Sequence, residues 1–205
     1  MKVGIIDLAI NNLSSIRNAF RSLGAEVAIV SDSAGVASVS HLVLPGVGTF
    51  RAGMEQLRKR GLEEPLLTHA TKGKALLGLC LGMQLFADEG TEGGRTAGLG
   101  ILPGRVAHLR ELGVTGRLPH VGWNEISVVR DNRLLPSNAQ NPIVYFVHSY
   151  AFCTPVSSFV TSTTSYEIDI VASVERGNVF GMQFHPEKSQ RSGLEILERF
   201  IKVTC

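Results

Sequence analysis

Lys74-Ala75-Leu76-Leu77-Gly78-Leu79-Cys80-Leu81-Gly82-Met83-Gln84-Leu85-Phe86 is the stretch on which the fold of this chain turns. Ala75-Leu76-Leu77 is a short apolar run of the kind that suits a strand buried on both faces. Met83 to Phe86 reads as the first turn or two of a helix. Between them a cysteine stands at the apex of a sharp turn, with Gly78 and Gly82 two positions to either side. The pattern is that of the G-x-S-x-G nucleophile elbow, with sulfur in place of oxygen. A nucleophile on a strained turn needs neighbours without side chains, so that strand and helix can close around it. Such a turn also aims the thiol at a helix N-terminus, where the dipole and free N–H groups favour thiolate. The same residues equally describe an inert buried cysteine beside a helix start, and the pentapeptide alone does not choose.

Outward from the elbow, the first half alternates strand and helix. Lys2–Leu8, Glu26–Val30 and His41–Leu44 read as strands; 15–23, 50–60 and 62–71 carry helical spacing, with Asn12 or Ser14 as cap of the first. This alternation implies right-handed crossovers and a parallel sheet, with sites at the carboxyl ends of its strands. Pro45-Gly46-Val47-Gly48 and Cys80 both fall at such ends. From Gly98 to Phe184 short strands dominate: 105–110, 125–130, 143–152, 159–163, 170–175 and 179–184. Glu89–Gly98 reads as a flexible Gly/Thr-rich loop, not a boundary, and a helix over 190–203 closes the chain. One α/β domain over 1–205 is expected.

Composition narrows the classes. Of the 205 residues 44% are hydrophobic and 19% charged, a globular balance, and the net charge of +2 is scattered, which argues against nucleic acid as main partner. No apolar run reaches the length of a membrane span, and Met1-Lys2-Val3-Gly4 leads directly into a strand instead of a signal peptide. Cys80, Cys153 and Cys205 are odd in number, widely spaced and without C-x-x-C. Neither a disulfide framework nor a zinc site is called for, no cofactor is expected, and a reducing cytoplasm is the simplest home.

A cysteine nucleophile needs a base and an orienting partner for it. Of six histidines, His69 reads as solvated on a polar helix, His41 as structural, and His108 carries no readable signal. His120 and His148 read as core histidines in apolar surroundings. His185 differs: it leaves a strand end as His185-Pro186-Glu187. In extended chain residues two apart point the same way, so Glu187 reaches the ring, fixes its tautomer and supports the imidazolium. The alternative is a surface His-Pro-Glu turn. An oxyanion hole would draw on the Leu81 N–H and on the Gly46-Val47-Gly48 loop; phosphate binding by that loop lacks G-x-G-x-x-G and Gly-Lys-Ser/Thr.

With these residues assembled, the chain resembles the triad (class I) glutamine amidotransferases nearly end to end. Pro45–Gly48, Gly78–Gln84 and Phe184–Glu187 carry the likeness by their order and joint presence. Pro119-His120-Val121-Gly122-Trp123-Asn124, Tyr145–Tyr150 and His185–Ser189 make it similar to the glutaminase subunits of imidazole glycerol phosphate synthase, in histidine biosynthesis. The resemblance implies a flavodoxin-like α/β three-layer sandwich around a mixed, mostly parallel sheet. It implies a Cys80–His185–Glu187 triad releasing ammonia from glutamine, with Val47 and Leu81 as oxyanion donors and Gly48, Gln84, Ser149 and Tyr150 gripping the substrate. It further implies a heterodimer with a (βα)₈-barrel cyclase, in which Asn12, Trp123, Tyr145 and Lys188 face the partner. One departure stands out. The family's D-Y-G-x-G-N loop reads Asp7-Leu8-Ala9-Ile10-Asn11-Asn12 here, keeping Asn12 and losing the tyrosine and both glycines. Glutaminases of other pathways, a partnerless cysteine hydrolase or γ-glutamyl peptidase, and a binding subunit that has kept the fold are the competing readings.

Overall fold

Strands buried on both faces show no polar alternation, and residues 3–6, 41–46 and 75–80 form such strands. The computed structural model describes residues 1–8, 13–135 and 141–204. In order come β1 (Lys2–Ile6), α1 (Leu13–Ser22), β2 (Glu26–Val30), α2 (Ser33–Ala37), β3 (His41–Gly46), α3 (Phe50–Lys59), α4 (Glu63–Thr71), β4 (Ala75–Cys80) and α5 (Leu81–Gln84). The β-rich half follows with β5 (Glu89–Gly90), β6 (Thr96–Ala97), β7 (Arg105–His108), β8 (His120–Glu125), β9 (Ser127–Val128), β10 (Ile143–His148) and β11 (Tyr150–Cys153). β12 (Val160–Tyr166), β13 (Ile168–Arg176), β14 (Val179–Met182) and α6 (Gln190–Ile201) complete it.

The main sheet runs β2-β1-β3-β4-β14-β13-β12-β9. Its first five strands are parallel and the pairings from β14 outward are antiparallel, so the sheet is mixed and mostly parallel. The parallel part has the flavodoxin-like order, in which ligands gather beyond the carboxyl ends of the strands. Period two sorts the core. Val3 and Ile5 of β1, Val43 of β3 and Leu77 and Leu79 of β4 face α1 and α6, against Phe20, Leu197 and Phe200. Ile6, Leu42, Leu44 and Leu76 point the other way, against Met54 and Leu57 of α3 and Leu66 of α4. The result is a three-layer sandwich. Among the described residues no helix is long and apolar enough to cross a membrane.

Two smaller sheets cap the carboxyl ends of the parallel strands, β10-β8 and β11-β7-β5-β6. The single expected strand over 143–152 is broken at Ser149, where the chain leaves one small sheet for the other. The strand expected over 125–130 lies earlier, as β8, followed by the short β9. Glu89–Gly98 is not a flexible loop: Glu89 pairs with both Ala97 and Arg105, and Gly90 with Thr96 and Val106. Nor is His69 solvated. It is buried, with Nε2 3.1 Å from the Ala75 carbonyl, because α4 turns it toward the sheet.

The inner face of the β8–β10 pair holds the two core histidines. His120 stacks between Phe146 and Tyr166, with ring centroids 4.7 Å and 4.1 Å away. His148 Nδ1 donates to the Tyr150 carbonyl at 2.9 Å, and His120 Nδ1 donates to His148 Nε2 at 3.0 Å. Burial pushes His120 down to about 4 and His148 to about 3, so both rings are neutral near pH 7.

Two predictions follow from this architecture. At Gly82 an added Cβ would sit 1.7 Å from the Leu44 carbonyl oxygen, a backbone atom with no room to yield. Gly82→Ala is therefore expected to cost about 3 kcal/mol or more in urea unfolding. As pH falls from about 6.5 toward 4, the unfolded chain takes up protons that the folded histidines refuse, so stability falls with pH across that window. His120→Gln should lessen this slope by about one proton, ~1.4 kcal/mol per pH unit. Unfolding free energies measured along a pH series check it.

Candidate active site

The elbow is built where β3, β4 and β14 end. Cys80 closes β4 with φ 52° and ψ −110°, the strained side of the Ramachandran map for a residue with a Cβ. Only close packing holds it there. Gly78 lies so near Gly82 and Met83 that a Cβ would meet their backbone at 2.6–2.7 Å. The helix that follows, α5, is a single turn, so its dipole is weak. Neighbouring side chains complete the surroundings of the sulfur.

One is His185. β14 runs parallel to β4, with Gly181 beside Gly78 and Met182 beside Leu79, which brings the segment after β14 alongside the cysteine. Pro186 opens a one-turn 3₁₀ helix, Pro186–Lys188, and Glu187 folds back so that Oε1 lies 2.8 Å from His185 Nδ1. Both side chains are more than nine-tenths buried. The other ring nitrogen is not engaged by Glu187, and the ring shares its cleft with Cys80. Burial works against charge on this imidazole, but the bonds and charges of Cys80 and Glu187 outweigh it and raise its pKa to about 10.

Cys80 and His185 line one wall of a cleft of about 290 Å³, with Glu187 behind His185. Val47 and Gly48 form the lip beside Leu81: Gly46 pairs with Cys80 across β3 and β4, and Gly48 has φ +97°, which suits glycine. Leu81 opens α5, where first-turn N–H groups have no intrahelical acceptor. Gln84 rises from α5, while Ser149 and Tyr150 arrive from the junction of the two small sheets. All nine residues read from the sequence as triad, oxyanion or substrate groups thus meet at one place.

Two were missed. Glu92 is the one carboxylate among the described residues lining this cleft; its Oε2 accepts from the Phe50 N–H at 3.1 Å. Burial pushes its carboxyl up, and the Phe50 N–H opposes that. It was hidden in the stretch read as flexible. Gln183 is fully buried, with Nε2 3.6 Å from Cys80 Sγ. Standing two residues before His185, it was read only as part of a strand.

The outer face of the β8–β10 pair is apolar and open. Val121 and Trp123 on β8 face Val147 and Tyr145 on β10, and Val121 and Trp123 are about half exposed. Trp123 and Tyr145 meet edge to face at 5.9 Å, and Lys188 Nζ lies 5.6 Å above the Tyr145 ring. Asn12 lies outside the described residues.

Comparison with known proteins agrees with this geometry. Residues 4–203 match the family model for class-I glutamine amidotransferases. A subunit HisH of imidazole glycerol phosphate synthase from Salinibacter ruber is 48% identical over 200 residues, 96% of this chain and 92% of its own. The HisH subunit of Symbiobacterium thermophilum is 43% identical, covering 100% of this chain and 95% of its own. Among solved structures, PurLQS from Thermotoga maritima superposes with a TM-score of 0.78 at 16% identity, covering 98% of this chain and 97% of that one. A structure described as a glutamine amidotransferase gives 0.76 at 21%, with the same coverage. The structural likenesses speak for the fold, and the sequence likenesses for the family. The chain belongs to the class-I glutamine amidotransferases, within the family of HisH subunits of imidazole glycerol phosphate synthase.

Proposed function

We propose that this chain, acting as a single domain over 1–205 in the cytoplasm, hydrolyses glutamine through Cys80, His185 and Glu187. The ammonia passes to a (βα)₈-barrel cyclase subunit that makes imidazole glycerol phosphate and aminoimidazole carboxamide ribonucleotide. The observation that carries this reading is the buried arrangement itself: a cysteine on a strained elbow, sharing a cleft with a histidine whose Nδ1 lies 2.8 Å from a buried glutamate.

Cys80 thiolate attacks the side-chain amide carbon of glutamine, and the carbonyl electrons move onto oxygen. That oxyanion meets the Leu81 and Val47 N–H groups. As it collapses, the imidazolium of His185 protonates the departing nitrogen, and ammonia leaves a γ-glutamyl thioester. The thioester carries no negative charge on sulfur. The main support of the imidazolium is thereby gone, burial reasserts itself, and the ring becomes the base that takes a proton from water. Hydroxide adds to the thioester and glutamate departs, returning sulfur as thiolate. Gly48, Gln84, Ser149 and Tyr150 hold the amino-acid head of glutamine, and Glu92 offers a carboxylate to its ammonium.

The partner would dock on the exposed stripe of Val121, Trp123, Tyr145 and Val147, with Lys188 beside it and Asn12 as a further contact. Aromatic rings at the centre of an apolar patch are the usual anchors of an interface. The backbone offers a line from that stripe to the triad. The Tyr145 carbonyl accepts from the His185 N–H at 2.9 Å, and the Tyr145 N–H donates to Ser189 Oγ at 3.0 Å.

Two tests follow. Cys80→Ser should lose glutamine-dependent synthesis by at least ~10³-fold while the complex retains synthesis from external ammonia. Equal loss of both activities would refute the division of labour; full glutaminase activity of the wild-type chain without a cyclase would favour a partnerless hydrolase. Tyr145→Ala should weaken cyclase binding by about tenfold or more, or let glutamate outrun imidazole glycerol phosphate; Lys188→Ala should change that ratio more than the affinity. Calorimetry and product ratios read both, and unchanged values would leave the two residues as surface structure.

A further inference from the structure

We propose that Gln183 is a further catalytic residue, whose side-chain N–H holds the Cys80 sulfur as thiolate until it attacks. The proposal rests on the reading of Cys80 as nucleophile given above and adds a second neutral-side donor to it.

One atom of the surrounding network can only accept. The Tyr150 carbonyl receives the Gln84 Nε2–H at 2.9 Å and the His148 Nδ1–H at 2.9 Å. Gln84 must therefore present its NH₂ group, and the second hydrogen of that group goes to Gln183 Oε1 at 2.9 Å. With its oxygen so committed, Gln183 has its NH₂ group left for Cys80 Sγ, 3.6 Å away. Reversing the Gln183 amide would set two NH₂ groups face to face and turn an oxygen toward the sulfur. The relay thus has one direction, set at Tyr150 and read out at Cys80.

The far end of the relay is pinned as well. Asn124 Nδ2 donates to the Ser165 carbonyl at 3.0 Å and lies 3.3 Å from His120 Nε2, which makes that nitrogen an acceptor. His120 Nδ1 then carries the proton that it gives to His148 Nε2, and His148 keeps its own proton for Tyr150.

The need for such a donor is visible at the sulfur. The dipole behind Cys80 is that of one helical turn. The Val147 carbonyl lies 3.9 Å from Sγ and opposes negative charge there. His185 can give one hydrogen bond, but it must turn from the sulfur to protonate the departing nitrogen. Gln183, wholly buried and bound at both ends, stays. Hydrogen bonds to a charged partner in a dry site are the strong ones, and an amide that need not reorient contributes without reorganisation.

The test uses the full chain with Gln183→Glu and Gln183→Met. Glutamate keeps the oxygen that Gln84 needs and replaces the N–H at sulfur by a second oxygen; methionine keeps the volume and removes both. Alkylation of Cys80 by iodoacetamide is followed against pH, with the modified peptide identified by mass so that Cys153 does not contribute. The pH of half-maximal rate should rise by about one unit in Gln183→Met and further in Gln183→Glu. Glutamine kcat should fall about tenfold or more, with KM moving less than about threefold. Near-UV circular dichroism reports folding. In the unaltered protein the Gln183 side-chain amide resonances should titrate with the same midpoint as alkylation, a readout that needs no variant. Unchanged alkylation in a folded variant, or amide resonances indifferent to the state of Cys80, would overturn the proposal. A wild-type complex that turns over no glutamine would instead sink the functional reading, while alkylation and the amide resonances still decide on Gln183.

Discussion

The approach of Gly82 to the Leu44 carbonyl is the constraint on which the site depends. Backbone and backbone meet there with no space for a single carbon, which fixes the first turn of α5 against the end of β3. Cys80 is held in its left-handed conformation by this packing, and the loop Val47–Gly48 is held beside it because Gly46 pairs with Cys80. Strain at a nucleophile persists only where the surroundings over-determine it. Here the core on both faces of β3 and β4 does so, with Leu42, Leu44 and Leu76 on one side and Val43, Leu77 and Leu79 on the other.

Around that fixed point the cleft is assembled from parts with different rigidity requirements. Cys80 ends β4 and His185 follows the adjacent parallel β14, so the ladder that spaces these strands sets the relation of Cys80 to His185. Ser149 and Tyr150, which line the cleft, come instead from a strand that breaks between two small sheets. Their placement relies on side chains: the His120–His148 pair below and the Gln84 amide beside the Tyr150 carbonyl. Buried polar groups this dense are tolerable because nearly every donor meets an acceptor and both histidines are neutral.

Charge in the site is arranged in opposition. Two buried imidazoles within the same wall are held neutral, pushed to about 3 and about 4, while a third is pushed to about 10. Burial acts on all three in the same sense. What separates them is the carboxylate of Glu187 and the sulfur of Cys80, which face only His185. In the proposed mechanism such a ring serves as acid while sulfur is charged and becomes a base once sulfur is acylated.

The sequence by itself determined the parallel half of the fold, the elbow and the contact of His185 with Glu187, because each is written locally. Apolar runs of five or six residues mark buried strands, glycines flank the nucleophile, and a His-Pro-Glu turn places carboxylate and imidazole two residues apart. The family likeness then singled out Gly48, Gln84, Ser149 and Tyr150, which line one cleft. What only the tertiary structure decided depends on partners far apart in the chain. Glu92 reaches the cleft because β5 pairs with β7 and folds a glycine-rich stretch that looks mobile in isolation. His69 is buried because α4 lies against the sheet, which its polar neighbours do not reveal. Gln183 is a strand residue like any other until Gln84, 99 positions earlier, takes its oxygen and turns its N–H toward Cys80. Hydrogen-bond direction is a property of the assembled network, and no single segment carries it.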